Sequence, residues 1–484
     1  MSAVTLAPAI VRAPRLRVPT SLWVGAAWAA VALLLRELSV EAFLWASTLG
    51  FAVLAIRPFL RPRSLDSGDV MLLFTLYYAM SLLVRGIGVL TWVDSPYLEE
   101  LGDARSEHLR LLVAWSQFYS GLGLFAVQEG YRSGLAARWA ASLEARLPAL
   151  RSPWRSSRML PVAVALVAVG VAGAALRVHS LGGFLSAAAD PMSAGTDEAL
   201  GHWWQIALTE FAVVGFHVHM LGLLLRRDRS FLAHYLVLGL GLCVPIYLVS
   251  SSKFLLLRTL FVPWLLRHFV VRRVPLGQIL AAFAVFGLLF PVLYAYRALG
   301  IYNLDAVGLY LQNSDMPLLR VFNRAYGTDS FVLILHRTGT ELPFLWGRSL
   351  LDLVTFWIPR LLWPGKPDSF GLQFPALYMP DMRWGAMTYV TTSLPGELYL
   401  NFHVVGVLVG SALVGVLMRA SRLLASRGPG GVLFYAYAYL TAVHLAEGCI
   451  ASQLETFLTD LVPLLLALGF LVVSLRPAAR RVAA

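Results

Sequence analysis

Charge is scarce in this chain. Only 14% of its 484 residues are Asp, Glu, Lys or Arg, whereas a soluble domain carries about a quarter. Cysteine is nearly absent, and Cys243 and Cys449 both fall inside apolar runs. That excludes a disulfide framework and a thiolate metal spacing. Lysine is equally rare: of 39 basic residues 37 are arginine, and only Lys253 and Lys366 depart from the skew. Either the two are chance survivors of that skew, or both positions favour a compact ammonium over a planar guanidinium. A glycine-rich phosphate loop, an HExxH helix, a paired-aspartate metal motif and a nucleophile elbow are all missing. No metal or cofactor is expected, nothing is built to hold ATP or a nucleotide sugar, and any reaction must draw on a substrate that arrives activated.

What the chain has is hydrocarbon. Hydrophobic residues make up 58% of it and the mean hydropathy is +0.70. They gather in runs of roughly 17–25 residues, long enough to cross about 30 Å of bilayer. The fold class expected is all-α, a polytopic helical membrane protein. Residues 1–20 carry Arg12, Arg15 and Arg17 ahead of the apolar run Leu22–Leu35, and no small-residue cleavage site follows, so this reads as an uncleaved first span. Further spans are expected at about 38–56, 70–93, 109–129, 159–177, 203–225, 231–249, 254–271, 276–296, 397–418, 432–450 and 456–475, twelve in all.

The net charge of +12 does not imply nucleic acid, because most arginines sit in short loops between spans. Arg57, Arg61 and Arg63, the cluster Arg132–Arg158, Arg226–Arg229, Arg267–Arg273, Arg419–Arg427 and Arg476–Arg481 all fall on one side if each span crosses once. By the positive-inside rule that side, with both termini, is the cytoplasm of a bacterial inner membrane. The opposite loops are acidic or neutral, as in Asp94, Glu99, Glu100, Asp103 and Glu107.

Three regions result: a nine-span membrane region at 1–296, a large outer loop at 297–395, and a three-span region at 396–484. The loop has eight Lys/Arg and seven Asp/Glu. Within it, 349–363 is apolar but too short to cross, which predicts a re-entrant or interfacial helix. That run leads into Ile358-Pro359-Arg360 and then Trp363-Pro364-Gly365-Lys366-Pro367, a stiff cationic aromatic turn. A basic loop feeding a membrane helix suits a substrate with an anionic head group and an apolar tail.

Candidate anion ligands follow from this. Ser250-Ser251-Ser252-Lys253 forms an outer hairpin whose hydroxyls, ammonium and free helix-start N–H groups make an anion site. Arg258 lies about 7–8 Å deeper on the same helix; it is either a functional cation or the partner of an acid such as Glu210. Arg360 and Lys366 flank the proline-stiffened turn, and the alternative is a loop held by snorkelling cations. Arg320 and Arg324, one helical turn apart, grip a phosphate or sugar or else form a solvated face. His217 and His219 point to different helix faces, against metal binding. His444, Glu447, Glu455 and Asp460 are read as an ion-pair network for Arg85 or Arg258. Glu397, His403 and His336 are the remaining proton carriers, and Glu397 and His403 are the catalytic candidates.

The hairpin SSSKFLLLRTLFVPWLL is similar to the Ser/Gly-rich, Arg-or-Lys hairpin of the O-antigen (Wzy-type) oligosaccharide repeat-unit polymerases. Gly347-Arg348-Ser349, IPRLLWPGKP and GELYLNFHVVGVLVGSALVGVLMR resemble the second half of such proteins. The resemblance covers about 240–420 and rests on topology before that. It implies a core like that of the membrane-embedded glycosyltransferases, acting without metal on undecaprenyl-diphosphate-linked oligosaccharides at the outer face. It also implies a flippase and a chain-length regulator as partners beside the lipid bilayer. An O-antigen ligase is the nearest rival within the enzyme class, and the WPGKP run favours the polymerase. A lipid-linked oligosaccharide flippase is the rival outside it, although one long outer loop and no internal repeat argue against a transporter.

Overall fold

A backbone surrounded by hydrocarbon has to satisfy its own N–H and C=O groups, so long apolar runs become helices. A computed structural model of the chain describes residues 20–60, 66–91, 95, 97–103, 105–189, 203–250, 253–282, 284–285, 293, 326–358, 362–380 and 389–471. Among these residues there is no strand, and Thr338 and Leu342 form an isolated bridge. The helices are α1 (Thr20–Leu38), α2 (Val40–Ile56), α3 (Val70–Val89), α4 (Glu107–Arg132), α5 (Leu135–Arg146), α6 (Ser156–Ser180), α7 (Phe184–Ala189) and α8 (Trp203–Leu225). They continue with α9 (Phe231–Ser250), α10 (Lys253–Val270), α11 (Gly327–Arg337), α12 (Asp352–Thr355), α13 (Phe370–Tyr378), α14 (Leu394–Leu424), α15 (Pro429–Leu445) and α16 (Ile450–Leu471).

Among the described residues six helices are long and apolar enough to cross a membrane: α1, α3, α6, α8, α14 and α16. The chain is a helical membrane protein. Large apolar side chains such as Trp23, Val24 and Leu34 on α1 and Val405, Val409 and Leu417 on α14 face outward, as a lipid-facing surface does. The expected span at 276–296 lies largely outside the described residues. The helices α5, α11 and α13 lie outside the expected spans, since each is too short or too polar to register as an apolar run.

Close helix packing rests on small residues, as it does where lipid supplies no hydrophobic drive between helices. The helices α4 and α14 meet at Gly130 and Gly415. A Cβ on Gly130 would lie 2.0 Å from the Ala412 carbonyl oxygen, and one on Gly415 would lie 2.0 Å from that of Val127. The arginine-rich loops gather at one end of the bundle. There Asp66 accepts from His268 Nε2 at 2.8 Å and from Arg422 at 3.3 Å, linking the start of α3 to the ends of α10 and α14. His268 Nδ1 accepts from the Val274 N–H at 3.0 Å. That places the imidazole proton on Nε2, where it faces Asp66.

Two helices depart from regular geometry. In α3, residues Ala79–Val84 form a π-turn just before Arg85. The Leu82 carbonyl there accepts from Gln117 Nε2 and Thr328 Oγ1, both at 2.7 Å. In α14 the backbone breaks at Phe402 (φ −138°) and His403 (φ 55°). The cause is visible in the hydrogen bonds. The carbonyls of Leu400 and Asn401 accept from the N–H groups of Leu345 (3.0 Å) and Trp346 (3.2 Å), which lie outside the helix.

The stretch expected as one short interfacial helix is a single 3₁₀ turn, Arg348–Leu351, followed by α12 and further turns. Its apolar side chains remain turned outward, as an interfacial segment requires: Trp346, Leu351, Val354, Leu362 and Trp363 are all exposed.

Candidate functional site

At the end opposite the arginine-rich loops, three stretches singled out in the sequence converge. Gly347-Arg348-Ser349 is stitched to the first half of α14. Asn401 accepts from the Gly347 N–H at 2.8 Å and donates to Ser349 Oγ at 2.7 Å. Gly347 takes φ 90°, a conformation that glycine adopts without strain. Ser349 in turn donates to Glu397 at 2.7 Å. Glu397 is fully buried and also accepts from Thr392 Oγ1 at 3.2 Å and from the Ile450 N–H at 2.6 Å. Ile450 is the first residue of α16, so the carboxylate sits where the helix dipole favours a negative charge. The sequence reading offers Glu397 as a catalytic carboxylate. The structure gives it a positioning geometry, joining the 347–349 turn, α14 and α16.

A second buried carboxyl lies across the turn between α15 and α16. Glu447 accepts from the Tyr77 hydroxyl and from the Tyr326 N–H at 2.9 Å. Its own carbonyl accepts from the Ser393 N–H at 2.8 Å. His444, one turn earlier, stacks on Tyr77 with ring centroids 6.4 Å apart and meets Phe254 at 4.2 Å. Phe254 carries the Arg258 guanidinium 5.4 Å above its ring. A continuous set of polar and aromatic groups therefore runs from this turn into the bundle.

The cationic candidates separate. Lys366 Nζ donates to the carbonyls of Phe356 (3.2 Å) and Ile358 (3.3 Å), just past the end of α12. This cation folds the WPGKP turn back on the interfacial segment, and α12 rests against α16. Lys253 is the first residue of α10, which fits an N–H-rich helix start. Arg320, Arg324 and Arg360 lie outside the described residues. Arg258 is 1% exposed. Its two terminal nitrogens are held by Glu210 and Asp460. That is the ion-pair alternative with Glu210, and it does not leave the guanidinium turned toward an outer substrate.

His403 is exposed at the break in α14, beside Tyr399 (centroids 4.8 Å) and Phe344 (5.4 Å). His336 pairs with His108 at 3.2 Å, and His217 Nδ1 meets the Tyr437 hydroxyl at 2.7 Å. Among the described residues no group of three or more His, Cys, Asp or Glu could hold a metal ion. A cavity of about 470 Å³ does exist, but at the arginine-rich end, lined by Asp69, Tyr131, Arg132 and Arg419 among others. It includes none of the candidate residues.

Sequence reasoning missed the partner of Arg85. The network of His444, Glu447, Glu455 and Asp460 supplies Asp460 to Arg258, but Arg85 is paired elsewhere. It forms a bidentate bond with Asp329 on α11, Nε to Oδ2 at 2.7 Å and Nη2 to Oδ1 at 2.8 Å. Ser95 also donates to Asp329. A lone arginine within an apolar run demands a buried acid, but that demand does not say which one. Asn401 was also missed, because an asparagine on an apolar helix carries no motif. Compared with protein-family models, with curated proteins and with solved structures, the chain matches none of them.

Proposed function

We propose that this protein is a membrane glycosyltransferase that polymerises oligosaccharide units carried on undecaprenyl diphosphate. In this reading it spans a bacterial cytoplasmic membrane twelve times, with both termini inside, and acts at the outer face. The observation that carries it is the WPGKP turn. A lysine-bearing aromatic turn with an exposed apolar rim (Leu351, Val354, Leu362, Trp363) folds back on the segment after α12, and α12 rests against α16. Close by, the Ser349–Glu397–Asn401 contacts fix the start of α14.

Each burial of a CH₂ in the bilayer is worth about 0.8 kcal/mol, so a polyprenyl tail stays in the membrane and its diphosphate sits at head-group depth. That is the depth proposed for Lys366, Arg360 and Lys253, with Arg320 and Arg324 for the sugar-phosphate side. In the transfer, the acceptor hydroxyl oxygen forms a bond to the anomeric carbon. The anomeric bond to the diphosphate breaks and its electron pair leaves with the diphosphate. The hydroxyl proton passes to a base or to water, for which the exposed His403 is the nearest candidate. Cations at the departing diphosphate stabilise charge that grows in the transition state. Arg258, occupied by two carboxylates, is left out of this role. Glu397 acts by holding the turn that precedes WPGKP.

The test uses purified protein with lipid-linked repeat units and no other component. A ladder of lengthening chains is expected. Lys366→Met and Arg360→Ala should each lower turnover ten- to over a hundredfold, as loss of a charge-assisted hydrogen bond of roughly 1.5–3 kcal/mol implies. Transfer of a finished chain to a different lipid, with no ladder, would mean a ligase. A second reading, a flippase for the same lipid, is favoured by the charged cluster around Arg258 deep in the bundle, since intramembrane ions line transport pathways. Trapping of repeat units on the cytoplasmic face after gene deletion, with no ladder in vitro, would establish that reading instead.

A further inference from the structure

Arg258, Glu210 and Asp460 come from three different helices, α10, α8 and α16. They lie about 8–15 Å along those helices from the ends that face the candidate site, by a rise of 1.5 Å per residue. All three are buried: 1%, 8% and 1% exposed respectively. One guanidinium nitrogen is bonded to Asp460 and the other to Glu210. Both carboxyls therefore crowd onto the same guanidinium group. Among the described residues Asp460 Oδ1 and Arg258 Nε have no hydrogen-bond partner.

The charges do not balance. Two carboxylates and one guanidinium leave one negative charge in a site shielded from water, and such a charge is neutralised rather than kept. Two ionised carboxylates held on one guanidinium repel, whereas a proton on one of them removes the excess charge, and Asp460 Oδ1 is an unpartnered oxygen that can carry it. The other titratable groups turned to the site come from every neighbouring helix. His217 on α8 meets Tyr437 on α15, whose ring lies 5.6 Å from the guanidinium carbon. His444 on α15 reaches it through Phe254. On α9, Tyr235 is committed to the Leu260 carbonyl at 3.0 Å. On α6, the buried Arg177 sits one turn from Ser180, which donates to Gln205 near the start of α8. Among the described residues none of these makes an ion pair with either carboxyl, and Arg258 is the cation they share.

We propose that Glu210 and Asp460 form an intramembrane proton-binding site, holding one proton between them against Arg258. The site stands whether the protein joins sugars or moves them. Its ligand is the proton itself, and His444, Tyr77 and Glu447 connect it to the turn between α15 and α16.

Infrared spectroscopy of the purified protein in nanodiscs, in H₂O and in D₂O at neutral pH, tests this. The wild type should show a protonated-carboxyl C=O band that shifts in D₂O. Glu210→Gln and Asp460→Asn should each abolish the component assigned to this site, because the remaining carboxylate then balances Arg258 one to one. Arg258→Met should do the reverse and add one acid, since both carboxyls then take up protons. Glu447→Gln, away from the pair, should leave the component in place. An acid band identical in wild type and both amide variants would overturn the proposal. So would a wild type with no such band whose thermal stability rises specifically with sodium, because an alkali cation would then be the neutralising ligand.

Discussion

Two of the arginines buried in this bundle, Arg85 and Arg258, are solved differently. Among the described residues, Arg85 on α3 meets one carboxylate, Asp329, through two parallel bonds, with 3% of the arginine exposed. Arg258 on α10 meets two, Glu210 and Asp460, one on each terminal nitrogen. The first arrangement is neutral and geometrically complete, as a bidentate guanidinium–carboxylate pair is. The second carries one carboxylate too many. A balanced pair ties α3 to α11 and has nothing left to exchange. An unbalanced one has to take something up, which turns a structural contact into a binding site.

The largest effect should follow from breaking the balanced pair. Removing one partner of a buried pair leaves an uncompensated charge and costs about 3–5 kcal/mol. Asp329→Ala or Arg85→Ala should therefore abolish or sharply lower the yield of folded protein in detergent. The double substitution Arg85→Leu with Asp329→Leu should recover part of it. Equal yields for the single and double variants would contradict this account of Arg85.

A smaller effect, and of different sign, is expected at the unbalanced site. Asp460→Asn leaves Arg258 with one carboxylate, so stability should change by less than about 1 kcal/mol or rise, in line with the weak net value of buried ion pairs replaced by neutral groups. Thermal melting of Asp460→Asn beside Asp329→Asn reads the contrast directly. A collapse of both to the same degree would mean that the two arginines are equivalent.

The smallest effect belongs to a third site at the arginine-rich end, partly open to water. The hydrogen bond from His268, aided by Arg422, holds the Asp66 carboxyl well below the usual carboxylate range. Because the folded value is depressed, this carboxylate's contribution to stability is complete above its unfolded pKa of about 3.9. It is lost only as pH falls through the lower folded value. Asp66→Asn should flatten the acid arm of a plot of melting temperature against pH. An acid arm of unchanged steepness would show that another group controls it.

The membrane-spanning helices were legible because hydrocarbon imposes a length and a composition that any window of sequence reveals. That the apolar stretch 349–363 forms no long helix among its described residues was legible for a related reason: it ends at Pro364, and prolines on both sides of Trp363 limit what the backbone can do. Glu210 as a partner for Arg258 could also be anticipated, since a charge at that depth needs an opposite one. What escaped is everything decided across long sequence distances. The choice of Asp329 for Arg85 joins residues 244 positions apart. The π-turn at Ala79–Val84 depends on Gln117 and Thr328 meeting one carbonyl. That Glu397 accepts from the first N–H of α16 depends on where Ile450 falls.

The broken helix has a consequence for how the protein fits its bilayer. With 31 residues at 1.5 Å each, an unbroken α14 would extend about 46 Å, well beyond about 30 Å of hydrocarbon. Such a rod would have to tilt steeply or thicken the surrounding lipid. The N–H groups of Leu345 and Trp346 end its first segment at Asn401, so the remaining stretch from 404 to 424 has about 31 Å, by the same rise, to cross. The two residues preceding the Gly347 turn thus act as a gauge. They trim a helix to the thickness of the membrane and leave its first two turns to be spent at the surface, against Ser349.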